Sequence, residues 1–94
     1  MQLDRKLFWD VDYDALDWER YADWVIVRVF ERGDVDDIRQ IRRHYGDEKI
    51  SFALLNAKYI FPHRLPLAAA VIDQPIQNFR CYKLQQLNPT HLPF

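Results

Sequence analysis

The sequence predicts an all-α protein, a small bundle of three to four helices with an N-terminal arm and an extended C-terminal tail. Three observations carry this expectation. Apolar residues from Trp18 to Tyr59 recur at spacings of three and four, the stripe of an amphipathic helix. Two steps, Gly33-Asp34 and Gly46-Asp47, interrupt the stripe with a helix stop followed by a helix start. Phe61-Pro62 then breaks the pattern and Pro66 restarts it, since the residue before a proline disfavours the helical region while proline suits a first turn.

Residues 1–16 form the arm. Asp10, Asp12, Asp14 and Asp17 alternate with Val11, Tyr13, Ala15 and Leu16, and aspartate competes for the backbone in turns and caps. Leu7, Phe8 and Trp9 supply its apolar anchor. The helical core spans 17–74. Its first helix buries Trp18, Ala22, Val25, Ile26, Val29 and Phe30, with Asp17 as N-cap and Gly33 as a left-handed stop. Asp34 caps the second, with Asp36 and Asp37 in its first turn. Val35, Ile38, Ile41 and Tyr45 form its buried stripe. Gly46 and Asp47 repeat the stop and cap. The third helix, about Glu48 to Tyr59, carries Ile50, Ala53, Leu54 and Ala57 on one face and Phe52, Leu55 and Tyr59 on another, as a central helix would. A fourth runs from Pro66 to about Asp73. From 75 to 94 the period fades, and Asn88-Pro89 and Leu92-Pro93 imply an extended, irregular tail.

At 94 residues, 49% hydrophobic and 29% charged, the chain suits one compact domain and excludes a disordered or low-complexity one. The longest apolar run, Leu67 to Ile72, is far shorter than the roughly 20 residues of a spanning helix. No apolar leader follows Met1, and the single cysteine, Cys81, suits a reducing compartment, so a cytoplasmic protein without membrane contact is expected.

Candidate chemistry is sparse. Asp10-x-Asp12-x-Asp14 has the opening carboxylates of a calcium loop, but Ala15 stands where that loop needs glycine and Tyr21 where it needs a bidentate glutamate. Cys81, His44, His63 and His91 lack metal-ligand spacing. Both glycines serve as helix stops, leaving none for a phosphate loop. We therefore expect no catalytic residue, metal or cofactor. Charge is more informative once divided. Residues 1–37 hold 11 acidic and 5 basic side chains, a balance of −6, and residues 38–94 hold 3 and 8, a balance of +5. Either the two portions attract each other within the fold, or the molecule carries opposed charged surfaces.

Two interaction sites follow. Phe79, Arg80, Tyr82 and His91, in the aromatic and polar tail, are the candidate contacts to a protein partner or a second copy. The second and third helices form a helix-turn-helix-like pair, around which Arg39, Arg42, Arg43, Lys49, Lys58 and Arg64 would contact nucleic-acid phosphates. The third helix is too apolar for a typical recognition helix, which favours the first site.

Leu7-Phe8-Trp9-Asp10, Ala22 through Gly33, Tyr45-Gly46 and Phe79-Arg80-Cys81-Tyr82 together resemble an uncharacterised bacterial family of small helical proteins. The linked elements are Phe-Trp-Asp, Arg-Val-x-x-x-Gly-Asp and Phe-Arg-Cys-Tyr. Near the end the chain departs from the family's Arg-Gln-Ser and His-Trp, with Gln85-Gln86-Leu87 and His91-Leu92. The resemblance implies small cytoplasmic proteins of unassigned activity, some encoded beside nucleotidyltransferase-like toxins of abortive-infection type, and transfers no catalytic residue. The expected function is a non-enzymatic protein-interaction module, an antitoxin or accessory partner of a toxin. The alternative is a nucleic-acid-binding regulatory domain.

Overall fold

The computed structural model describes residues 3–87, and every regular element among them is helical. Five α-helices are present: α1 (Ala22–Arg32), α2 (Val35–Tyr45), α3 (Asp47–Asn56), α4 (Leu65–Ile72) and α5 (Arg80–Leu87). Short 3₁₀ turns occupy Arg5–Phe8, Tyr13–Ala15 and Ile76–Asn78. The all-α bundle is the architecture that the periodicity predicts.

Helix α1 is the deepest element. Val25, Ile26, Val29 and Phe30 are fully enclosed, packed against α2 and α3 and against the arm's first turn. Helix α3 is the hub, touching α1, α2, α4 and α5 and burying Ile50, Ala53 and Leu54. Its centrality was legible, yet Phe52 on its second apolar face remains exposed. The helix also ends earlier than its periodicity suggests. Asn56 donates its side-chain N–H to the Phe52 carbonyl, and Ala57 turns extended so that Ile60 can plug the core.

The junctions follow local chemistry. Asp17 accepts the Glu19 and Arg20 N–H groups, capping a turn over 18–21 that leads into α1, so regular helix starts later than Trp18. Asp34 and Asp37 form a reciprocal capping box on α2. Gly46, at φ 88° and ψ 155°, occupies a region essentially closed to side-chain-bearing residues. It is both the stop of α2 and the N-cap position of α3. Asp47 is consequently not a cap; its carboxylate pairs with Arg42 at 3.0 Å. Gly33 is not left-handed either. Its backbone is extended (φ −83°), and glycine is required because a Cβ there would stand 2.7 Å from the Val29 carbonyl oxygen.

The largest departure from expectation is the tail. Residues 76–87 form a 3₁₀ turn and α5 rather than an extended strip, while residues 88–94 lie outside the described ones. Helix α5 is short and weakly periodic, so it is held by packing: Phe79 and Cys81 enter the core and α5 rests on α3. Val35, assigned to a buried stripe, is 64% exposed, because the packed face of α2 runs through Ile38 and Ile41.

Candidate functional site

Trp24, Arg28 and Arg32 succeed each other at four-residue intervals on α1 and therefore share one outward face. The arm crosses this face. Arg28 donates two parallel hydrogen bonds to the Asp10 carboxylate, both 3.0 Å, and a third to the Leu7 carbonyl at 2.9 Å. These bonds hold the Asp10 carboxyl below the usual carboxylate range. The same guanidinium lies 4.8 Å from the Trp9 ring centre and 4.5 Å from that of Trp24. Arg32 lies 5.0 Å from Trp9 and 5.0 Å from Phe61. Phe61 in turn stacks on His63 at 5.6 Å. The result is a continuous row, Trp24–Arg28–Trp9–Arg32–Phe61, alternating guanidinium groups with aromatic rings and ending in the Phe61–His63 stack.

Two anchors fix the row to the fold. Phe8, fully buried, meets Tyr13, Trp18 and Trp24 with ring centres 5.6–5.9 Å apart, locking the arm to α1. On the other side, Glu31 accepts the Phe61 N–H at 3.2 Å, tying the 57–64 connector to α1. Partial burial pushes the Glu31 carboxyl up. Trp9, placed by sequence in the apolar anchor, is instead 63% exposed, and only Leu7 and Phe8 are buried.

A groove of about 740 Å³ opens beside Trp24, lined by Val11, Asp12, Ala15, Leu16, Asp17, Arg20 and Tyr21. A second, of about 450 Å³, runs between α2 and α4 along Val35, Ile38, Arg64 and Leu67.

The charge division is not resolved by attraction between the two portions of the chain. Arg5–Asp14 and Arg28–Asp10 pair within the acidic portion, and Arg42–Asp47 within the basic one. Among the described residues only the local Arg39–Asp36 pair and the His44–Glu19 contact, at 3.6 Å, join the two. Of the basic residues assigned to nucleic acid, Arg39 and Arg42 thus face carboxylates. Arg64 donates to the Gly33 carbonyl, and Lys49 sits 5.8 Å from the Tyr45 ring. Arg43 and Lys58 are exposed. Arg39 and Arg42 line one cleft between α2 and α4, and Arg64 lines the adjoining one.

The tail candidates scatter. Phe79 is completely buried and is a core residue, not a surface contact. Arg80 is exposed, Tyr82 half-buried, and His91 lies outside the described residues. Cys81 is buried, which pushes its thiol up. No cluster of three or more potential metal ligands occurs among the described residues, and Asp10 and Asp14 of the calcium-like run are held by arginines. None of the described helices is long and apolar enough to cross a membrane.

Fold and surface together define a small all-α domain with a preformed aromatic–arginine face. Residues 3–54 match the model of a family of unknown function (DUF6922), just over half the chain, and the protein belongs to that family. No curated protein and no solved structure matches it significantly. Trp9, Asp10, Trp24, Arg28 and Arg32 all fall inside the matched segment. Sequence reading missed them as a site, although the i, i+4 spacing of Trp24, Arg28 and Arg32 was the available signal.

Proposed function

We propose that this chain is a non-catalytic protein-interaction module whose docking face is the Trp24–Arg28–Trp9–Arg32–Phe61 row. The observation that carries this reading is the pose of Trp9, an exposed indole with two guanidinium groups within 5.0 Å of its ring centre. Tryptophan and arginine dominate binding hot spots, and a side chain ordered before binding loses less entropy when a partner arrives. The face is also nearly balanced in charge, since Asp10 offsets Arg28. A surface built to stack bases along a phosphate backbone would be strongly cationic. The neutralisation of Arg39 and Arg42 by Asp36 and Asp47 likewise favours a protein partner over the helix-turn-helix alternative. A toxin, for which the chain would act as antitoxin or accessory protein in the cytoplasm, is the partner implied by the bacterial family it resembles.

Co-expression with the product of the adjacent gene tests this. Trp9→Ala and Arg32→Ala are expected to weaken the complex about thirtyfold each, the equivalent of a hot-spot loss of about 2 kcal/mol. Complexes of unchanged affinity refute the assignment. Mobility-shift titration separates the alternative: a shift that weakens steeply with salt, and vanishes when Arg39, Arg42 and Arg43 are replaced together, overturns the protein-interaction reading.

A further inference from the structure

We infer that the groove beside Trp24 receives a cationic, apolar helical segment of the partner. This rests on the protein-interaction reading and specifies its chemistry. Val11, Ala15, Leu16, Tyr21 and Trp24 give the groove apolar walls, and Val11, Tyr21 and Trp24 are large side chains left open to solvent.

Charge selects the occupant. The arm contributes four aspartates between residues 10 and 17 and no lysine or arginine. Asp10 and Asp14 are engaged by Arg28 and Arg5, whereas Asp12 and Asp17, which line the groove, have no ion-pair partner among the described residues. Arg20 is the one cation among the lining residues. Both free carboxylates are also fixed in place. Asp12 accepts the Asp14 N–H at 3.2 Å, and Asp17 accepts the N–H groups of Glu19 and Arg20 at 3.2 and 3.1 Å. Each does so through Oδ1, leaving Oδ2 without a hydrogen-bond donor among the described residues. A lysine or arginine on the incoming segment completes that coordination with little reorganisation.

Conformation is selected by what the groove lacks. The groove is walled by the 3₁₀ turn over 13–15, the turn over 18–21 and α1, joined through extended Asp12 and Leu16, and none of the described segments is a strand, so no sheet edge exists among them to pair with an extended peptide. Side-chain anchors at helical spacing fit such a surface. Phosphate backbones are disfavoured by the same carboxylates. On a second copy, Arg39 and Arg42 are already paired with Asp36 and Asp47 and Arg64 donates to the Gly33 carbonyl, so the free cation that this groove lacks is supplied by a different protein.

Two synthetic amphipathic peptides of about 15 residues, long enough to be helical when bound, are suitable probes. Both carry leucine at i, i+3/i+4 and i+7; one is flanked by lysine and the other by glutamate. With the full chain labelled for NMR, the lysine peptide is expected to shift the Trp24 indole and the Val11 and Leu16 methyls, binding at least about tenfold tighter than the glutamate peptide. The double variant Asp12→Asn, Asp17→Asn keeps both caps, since asparagine caps as well as aspartate, and should weaken the lysine peptide by about tenfold. Equal binding of the two peptides, an unaffected double variant, shifts centred on Val35 and Leu67, or sedimentation showing self-association through the arm overturns the inference. In the co-expression assay, Trp9→Ala dissociating the complex while the double variant spares it removes the cationic segment alone. If neither variant weakens the complex, the docking face falls as well.

Discussion

The two glycines are required for opposite physical reasons, and alanine at each separates them. At Gly33 the backbone (φ −83°) accepts any residue, but the new methyl would stand 2.7 Å from the Val29 carbonyl oxygen and 3.1 Å from Asp37 Cβ and Val29 Cγ1. The closest atom is backbone that also accepts the Gly33 N–H at 2.7 Å, so it cannot rotate away. Overpacking of this kind costs about 1–3 kcal/mol. At Gly46 nothing lies within 4 Å of the added methyl, yet φ is +88°. An L-residue forced into that region costs about 1–3 kcal/mol in conformational strain. Both Gly33→Ala and Gly46→Ala should therefore lower the denaturation midpoint, by about 4–8 °C per kcal/mol for a chain of this size. The distinction comes from D-alanine introduced by chemical ligation. A D-residue favours positive φ and restricts the unfolded chain, so in place of Gly46 it should match or exceed the wild type, whereas in place of Gly33 it should not rescue. A Gly46→Ala protein as stable as the wild type, or an undisturbed Gly33→Ala protein, would refute this division between steric and conformational need.

Four further outcomes are expected. Arg28→Ala removes the donor to the Leu7 carbonyl and two aromatic stacks from a nearly buried side chain, so unfolding free energy should fall by about 2–4 kcal/mol and the tryptophan emission should shift to the red; Arg28→Lys, lacking the fork, should recover only part. The Tyr45 hydroxyl, which donates to the Trp18 carbonyl at 2.7 Å, is pushed up to about 12 by burial. Because its folded value lies above the unfolded one, its stabilising contribution is complete below pH 10 and lost as pH rises towards 12, which phenolate absorbance and unfolding midpoints measured together should show. Glu31, also shifted up by burial, has the same sign: stability is favoured below its unfolded value and lost as the carboxyl ionises. Glu31→Gln keeps an acceptor for the Phe61 N–H and should raise the midpoint near neutral pH but not in acid, where the native carboxyl is already protonated. Cys81 should react with a thiol reagent at a rate set by opening of the fold, and fast stoichiometric labelling of the native protein would contradict its burial.

The helices of the core were legible because they obey local rules. Asp34 reads as the cap of α2 and is one, and Ile38, Ile41, Ile50 and Leu54 fall on the faces that their spacing assigns. Departures arise where a distant contact decides. Arg80–Leu87 is rich in good helix formers but has no clear apolar period, and it is Phe79 and Cys81 reaching the core beneath α3 that hold it there. Trp9 reads as an anchor because tryptophan usually buries, and two arginines a turn apart on α1 hold it outside instead. The charge asymmetry was visible, but whether its members meet depends on three-dimensional placement. Arg39 and Arg42 pair locally with Asp36 and Asp47, and Arg5 and Arg28 take Asp14 and Asp10, which leaves Asp12 and Asp17 of the acidic arm without an ion-pair partner among the described residues.

Two of the three motif elements, which stand apart along the chain, meet in one physical object. Phe-Trp-Asp supplies the buried Phe8, the exposed Trp9 and the Asp10 carboxylate, and Arg-Val-x-x-x-Gly-Asp supplies Arg28, which binds that carboxylate, and Arg32, which covers Trp9. The same element ends in Gly33-Asp34, whose cap partner Asp37 is nine-tenths buried and also accepts the Asp4 N–H at 3.4 Å. The arm is therefore tied at Asp37 and at Arg28, with Trp9 beside the second tie. All of these residues lie within the matched segment 3–54, whereas α4 and α5, which lie beyond it, pack on α3 and close the core. Within this one segment Asp10, Arg28 and Arg32 all contact or flank an indole that stands at the surface, so the arm's attachment to α1 and the pose of Trp9 are set by the same three side chains.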